Sequence, residues 1–513
     1  MFQNTFVWPE RRTALAVAGV GAIGLAASLP AGPRATAVGA LFFLLACGVA
    51  FWEARAPVVT WPNAVGALLL IIWLIPIKAY SLPVHLGFNL EAYRLFLVVL
   101  IFGWVIWALS GDGRFSACGL AKPLVLLTAT ALASQIVNFH SLAAKSSDSQ
   151  ALKSLSYFLG FLLAFALICS TTSSWEDVER LVRVLVLGGA VVAVFALYES
   201  RTRTNVFDQL DRWVPFLERE PREVTSVRAG QLRVKGSAQH PIALSCALTM
   251  IVPLAIYLAG QAASRLKSAL WISAATVAAV AAFATISRTT VVMLVLMGLV
   301  ALWLRGRAVV RAWPLLILLP FVIHFATPGA LGGVRKAFFP EGGLVADLQG
   351  REELSGSGRF SDLDPGLRRW EQAPFVGHGL GSQAATGADP AALQEKADPL
   401  ALTEPVGVRL IFDNQYLNTL VELGILGLIG AVWFVWSASI KLARAAHRNF
   451  GKHGDLLAAC AISCAGFGAS LLLFDAFAFV QATLVFFIVA AIGLRARELV
   501  IERDSIERQG AGA

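Results

Sequence analysis

Apolar runs long enough to cross a lipid bilayer recur along the whole chain, and no other feature constrains its fold as much. A helix needs roughly 20 predominantly apolar residues to span the hydrocarbon layer. Runs approaching that length fall near 13–29, 35–52, 62–77, 93–110, 119–137, 155–171, 180–198, 240–259, 268–286, 289–304, 312–327, 415–437, 456–474 and 477–494, about fourteen in all by the length criterion. Of the 513 residues 57% are hydrophobic and only 15% charged, and the mean hydropathy is +0.69. Polar side chains are too few to cover a soluble globule, and no run alternates at period two as a lipid-facing barrel strand does. The expected fold is an all-α polytopic membrane protein of about 12–14 transmembrane helices with one large, partly helical extracytoplasmic loop. The first run follows Arg11 and Arg12 as in a secretory signal, but no soluble domain follows, so it is read as a span.

Charge orients the spans. Arg265 and Lys267, then Arg305, Arg307 and Arg311, then Lys441, Arg444, Arg448 and Lys452 crowd three short connections that alternate onto one side. By the positive-inside rule that side is cytoplasmic. An even number of spans puts both termini there too. The chain divides into N-terminal spans (1–198), a first extracytoplasmic loop (199–239), spans with a Ser-Arg junction (240–327), a large extracytoplasmic loop (328–411), C-terminal spans (412–495) and a cytoplasmic tail (496–513). The net charge of +9 fits cytoplasmic loops facing anionic lipid, and nucleic acid is not invoked as a partner. No cysteine falls in either long polar loop, which argues against a disulfide framework there. Cys460 and Cys464 read as small core residues, and the histidines show no paired ligand spacing. Neither a metal nor a cofactor is expected. Within the large loop, Asp364 before Pro365 and Asp389 before Pro390 each signal a helix start.

Several residues stand where chemistry is possible. Arg288, in "FATISRTTVVML", lies between two apolar runs too long together for one span. The chain must turn there, and a cation at an outer junction is a functional candidate, with a snorkelling anchor as the alternative. Arg233, in "RVKGSAQHPIALS", ends the first outer loop; taken alone it would be a solvated charge. His240 precedes Pro241 and reads first as a helix-start residue. In "SGRFSDLDPGLRRWEQAPFVGHGLGS", Gly377, Gly379 and Gly381 permit a close backbone approach. Arg359 is a candidate phosphate contact; Arg368 and Arg369 read as a solvated face. "FDNQYLNTLVELGILG" places Asp413 and Asn414 where water meets a membrane helix, either to cap it or to face a reaction.

In order, these pieces are an Arg-x-x-Gly before His-Pro and a helix, a Ser-Arg at a span junction, Gly-Arg followed by Pro-Phe-x-Gly-x-Gly-x-Gly, and Asp-Asn-x-Tyr-Leu with Glu-Leu-Gly-x-x-Gly. The set, over about 230–430, resembles the O-antigen ligase and polymerase family of bacterial envelope glycosyltransferases. The resemblance implies a metal-independent enzyme that inverts at the anomeric carbon. It would move glycans from an undecaprenyl-diphosphate carrier to an acceptor hydroxyl at the outer face of the bacterial inner membrane. Membrane lipids, the lipid-linked oligosaccharide and a chain-length regulator protein are the partners it implies. The family's functional arginines match Arg233 and Arg288, and its His-Asn pair matches Asp413 and Asn414, so an aspartate stands where ligases carry histidine. Trp370 falls nearer the glycine turn than in the family pattern, and His378 between the glycines also departs from it.

The chemistry suits these residues. Arginines can neutralise a leaving diphosphate, and they stay charged at any relevant pH. A carboxylate beside the acceptor can take its proton. Asp413, Arg288 and Arg233 are therefore the expected catalytic residues. Arg359, Asn414, Tyr416, His378, Gly379 and His240 are expected to bind substrate. Glu422 is expected to be a buried structural partner for an arginine. Polymerisation of lipid-linked repeat units is the first functional expectation and ligation to lipid A-core or another acceptor the second. A lipid-linked glycan transporter or flippase is the alternative of another class, but the internal pairing of halves that transporters often show is not seen.

Overall fold

The structure, a computed structural model, describes residues 60–85, 89–111, 113, 115–144, 148–214, 216–220, 227–228, 231–311, 313–338, 363–382 and 412–511. The two spans expected before residue 60, Arg359 and the helix start expected at Asp389 lie outside the described residues. The described helices are α1 Trp61–Leu74, α2 Ala92–Leu109, α3 Ala121–Ala144, α4 Asp148–Thr171, α5 Trp175–Thr202, α6 Pro241–Gly260, α7 Arg265–Ala284, α8 Arg288–Arg311, α9 Trp313–Ala326, α10 Ala330–Phe338, α11 Leu363–Glu371, α12 Gln415–Arg448, α13 Gly451–Ser470 and α14 Val480–Ala511. By length and composition eight of the described helices are long and apolar enough to cross a membrane: α2 to α8 and α12. The chain is therefore an all-α polytopic membrane protein. Strand pairing among the described residues is confined to loops. β1 (Tyr80–His85) lies between β2 (Asn89–Leu90) and β3 (Glu218–Arg219), and β4 (Val227–Arg228) pairs with β5 (Gln231–Leu232).

Local chemistry sets the helix boundaries. α5 opens with a capping box: Ser174 Oγ accepts from Asp177 N–H while Asp177 accepts from Ser174 N–H, each at 3.1 Å. α6 opens on His240, whose Nδ1 accepts from Ile242 N–H at 3.2 Å, with Pro241 at the first helical position. α11 starts two residues earlier than its Asp-Pro signal suggests. Asp364 sits inside the first turn and pairs with Arg368 one turn on, at 2.7 Å. α14 runs on to Ala511, so the expected tail is largely helical.

α14 is the axis of the bundle. Nearly every side chain from Val480 to Ala496 is buried, against α4, α6, α12 and α13. Phe467 of α13 stacks on Phe486 with ring centroids 4.1 Å apart, and Phe434 of α12 stacks on Phe487 at 5.0 Å. Successive helices alternate in direction, which separates two ends. At the basic end Arg305 holds Asp455 at 2.8 Å and the carbonyls of Ala446 and Asn449, and Arg495 holds Glu498 and Glu502. The other end, here called the loop end, carries the described parts of the connections 75–91 and 203–240, the connection 471–479 and the starts of α6, α8, α12 and α14.

α12 is broken near its start. Gly424 lies at φ 68° and ψ −170°, outside any helix. An unbroken helix would bond Ile425 N–H to Val421 O and Leu426 N–H to Glu422 O. Instead the segment 373–382 takes all four groups. His378 N–H donates to Val421 O and Gly379 N–H to Glu422 O, each at 3.0 Å, while Ile425 N–H donates to Pro374 O at 2.9 Å and Leu426 N–H to Phe375 O at 3.5 Å. The glycine spacing seen in the sequence thus serves a main-chain splice into a membrane helix. A Cβ on Gly377 would collide with the backbone of Glu422, and one on Gly424 with the backbone of Phe375. Because backbone, and not a flexible side chain, is in the way, Gly424→Val should destabilise the protein by more than about 3 kcal/mol, within the range of severe backbone substitutions. Thermal unfolding in detergent checks this: a melting temperature within a degree of wild type contradicts the splice.

Candidate functional site

At the loop end two junctions meet through an arginine. Arg233 is only 8% exposed, and its Nε donates to Thr285 O at 3.0 Å. Thr285 ends α7, and three residues later Arg288 begins α8. The sequence candidates Arg233 and Arg288 thus belong to one construction. Between them Ile286 adopts φ +52°. A β-branched residue there is a strained outlier, a state of order 1–3 kcal/mol held only by its surroundings. Those surroundings are polar and buried: Thr285 Oγ1 bonds Ala282 O, Thr290 Oγ1 bonds the same carbonyl, and Ser245 Oγ on α6 meets Thr290 Oγ1 at 2.7 Å.

The turn that carries Arg233 is fixed by a residue the sequence reading did not single out. Glu199, near the end of α5 and buried, accepts from Gly236 N–H at 2.8 Å and from Lys235 N–H at 3.4 Å. Lys235 pairs with Asp208 at 3.1 Å, and Asn205 donates to Gly236 O at 2.9 Å. Gly236 itself has φ +53°. The Arg-x-x-Gly pattern is therefore a turn gripped by one carboxylate, with its arginine directed at the α7–α8 junction.

The connection 471–479 joins this region to Asp413. The spans expected at 456–474 and 477–494 leave almost no loop here; the structure has a full one, hung on side chains from four elements. Lys78 Nζ and Gln239 Nε2 both donate to Ala478 O, at 2.8 and 2.6 Å. Gln415 Oε1 accepts from Phe477 N–H at 2.6 Å, and Gln415 N–H donates to Leu471 O at 2.8 Å. His240 stacks on Phe479 with centroids 5.2 Å apart. Within this loop Asp475 lies in electrostatic reach of Asp413 and is bonded by Asn418, which also donates to Phe412 O at 3.0 Å. Burial pushes the Asp475 carboxyl up to about 6, with the Asp413 charge adding to the rise. Burial, then the Lys153 charge, brings Lys78 down to about 8.

Lys78 adjoins a second buried group. Glu91 and Arg94 pair at 2.9 Å, Tyr157 OH donates to Glu91 Oε1, and the Arg94 guanidinium lies 3.7 Å from the Tyr157 ring centroid. The Lys78 ammonium is 5.2 Å from the same ring. Sequence signals for these residues existed. Lys78 in "IPIKAYS", Asp475 in "LLLFDAFAF" and Glu91 with Arg94 in "NLEAYRLF" are ionisable groups at the edges of apolar runs, as Arg288 is.

The helix-capping role at α12 falls to Asn414. Its Oδ1 accepts from Tyr416 N–H at 3.0 Å and Leu417 N–H at 3.2 Å, so Asp413 is not the cap. Tyr416 OH donates to Gly468 O at 2.9 Å and accepts from Trp436 Nε1 at 3.2 Å, tying α12 to α13. His378 and Gly379 sit in the splice, on the α3 side: His378 Nε2 lies 2.7 Å from Arg369 O, and Asn138 donates to Gly377 O at 2.9 Å. Glu422, expected to partner an arginine, accepts from Gly381 N–H at 2.9 Å. Among the described residues no cluster of three or more His, Cys, Asp or Glu forms that could hold a metal ion.

The capping assignment separates two neighbours by experiment. Asn414→Ala should lower stability by about 1 kcal/mol through lost capping, whereas Asp413→Asn should leave the melting temperature unchanged. Differential scanning of both purified variants checks this; equal losses contradict the assignment.

Residues 273–432 match the family model described as O-antigen ligase. The match starts inside α7 and ends in α12, so it takes in Arg288 and Asp413, while Arg233 and Asp475 lie outside it. No curated protein matches the chain.

Proposed function

We propose, from the premise that residues 273–432 belong to the O-antigen ligase family, that this protein is a glycosyltransferase of surface-polysaccharide assembly. It would polymerise or transfer glycans carried on undecaprenyl diphosphate. The observation that carries this reading is the buried Arg233 guanidinium bound to Thr285 O, at the strained junction from which Arg288 emerges. Two guanidiniums held on neighbouring backbone suit a diphosphate whose charge grows as its bond to the sugar breaks. The loop end would face the periplasm, because the opposite end carries Arg305, Arg311, Arg444, Arg448 and Lys452.

In the proposed step an acceptor hydroxyl attacks the anomeric carbon from the face opposite the diphosphate. The new C–O bond forms as the carbon–phosphate oxygen bond breaks, which inverts the centre. The electron pair leaves on the diphosphate, stabilised by Arg233 and Arg288. The hydroxyl proton passes to Asp413. The Asp475 carboxyl, in the neighbouring connection, feels the charge of Asp413. Arg359 would add a phosphate contact, and His240, Asn414, Tyr416, His378 and Gly379 would shape the site around the substrate. The family description favours a second reading, ligation to lipid A-core, in which only the acceptor differs.

Turnover of purified protein on a lipid-linked repeat unit, with a second repeat unit or lipid A-core offered as acceptor, tests the reading and separates its two forms. Arg233→Ala and Arg288→Ala should each lose on the order of 10²–10³ in rate, the usual loss for one preorganised donor. Asp413→Asn should lose roughly 10²–10⁴, the usual contribution of a positioned base. Near-normal polymer from the double arginine variant contradicts the mechanism. The rate should rise as pH passes through about 6, where Asp475 loses its proton and its negative charge helps hold the one arriving at Asp413. Asp475→Asn should abolish that inflection, and a profile unchanged by the substitution counts against the coupling.

A further inference from the structure

The proposed base immediately precedes the capping residue of a short, detached piece of helix. The break at Gly424 cuts α12 so that Gln415–Leu423 forms a stub of little more than two turns. A helix that short does not persist on its own. Its position comes from what grips it. On one side Gln415 and Tyr416 tie it to the 471–479 connection and to α13. On the other side the segment 373–382 is spliced into the break.

Glu422 holds that second grip through three bonds. Its carbonyl accepts from Gly379 N–H and from Ser134 Oγ of α3, at 3.0 and 2.8 Å. Its Oε1 accepts from Gly381 N–H at 2.9 Å. The last bond is the only one of the three that depends on the side chain, and it closes the glycine segment over the stub. Asn138 and Gln135 of α3 fasten the same segment from beneath, through Gly377 O and Leu380 O.

We propose that Glu422 is a positioning residue for Asp413: its carboxylate latches the glycine segment of the large loop to the helical stub and so sets where Asp413 stands beside the acceptor. The inference rests on the function proposed above. It assigns Glu422 no contact with substrate and no proton transfer. Its working atom is a hydrogen-bond acceptor, which an amide oxygen reproduces.

Three variants and two readouts test the latch. Glu422→Ala should lower kcat by roughly 10–10², because displacement of a reacting group by about 1 Å costs that order, while KM for the lipid-linked donor stays within about twofold. Glu422→Gln keeps an acceptor for Gly381 N–H and should restore kcat to within about threefold. Ser134→Ala removes one bond to the Glu422 carbonyl and should lower kcat by about two- to fivefold; it decides the matter if Glu422→Ala does not fold. Hydrogen exchange supplies the readout independent of chemistry. The amides of 377–381 and 415–423 should exchange at least about tenfold faster in Glu422→Ala than in wild type, while α14 keeps its protection. Unchanged kcat and exchange overturn the proposal, and so does a Gln variant as impaired as the Ala variant. If wild type transfers no glycan, the function fails, and the exchange comparison still decides the latch.

Discussion

A charge inside an apolar bundle persists only with partners, because leaving it bare in a low dielectric costs several kcal/mol. At the loop end this demand organises everything else. Arg233 reaches the Thr285 carbonyl, Lys78 reaches that of Ala478, Arg94 pairs with Glu91, and Glu199 collects two amides from the turn that carries Arg233. Each partner belongs to a different helix from the charge or to a connection between helices. The ionisable groups therefore do two things at once. They supply the electrostatics of the site, and they fix the ends of α2, α5, α6, α7 and α14 relative to one another.

The backbone obeys the same demand. Amides and carbonyls at membrane depth must be satisfied by protein, and an interrupted helix leaves at least four of them open. In α12 another stretch of main chain takes up all four groups, and the Ser134 hydroxyl adds a second bond to the Glu422 carbonyl. The large loop is then no appendage. Its segment 363–382 is part of the bundle, with Trp370 packed against Phe412, Leu417 and Val421 and donating to Pro374 O.

What could be read from residues alone varies with the physics behind it. Spans declare themselves because a roughly 30 Å apolar layer imposes length and composition on each independently, and α1 to α9 and α12 to α14 fall where the apolar runs lie, while α10 and α11 belong to the large loop. Arg233, Arg288 and Asp413 were visible because charge at a span junction is unexpected. Their mutual arrangement was not, since it depends on Glu199, whose place at the edge of an apolar run does not say which amides it binds, and on Ile286 at positive φ, which carries no sequence mark. Asp413 and Asn414 both look like caps, and only the coordinates assign the capping to Asn414. The glycine triplet suggested close approach without saying to what. Asp475 was passed over because the apolar run on either side of it hid a full connection.

The splice at Gly424 ties together two stretches of chain, 373–382 and 412–426, through their main-chain groups. They form a single inherited unit. Exchange of either alone between related chains leaves mismatched main-chain partners in the bilayer. Hybrids made to alter acceptor choice should therefore take their junctions outside 373 and 426, or wholly within the interval between the two stretches.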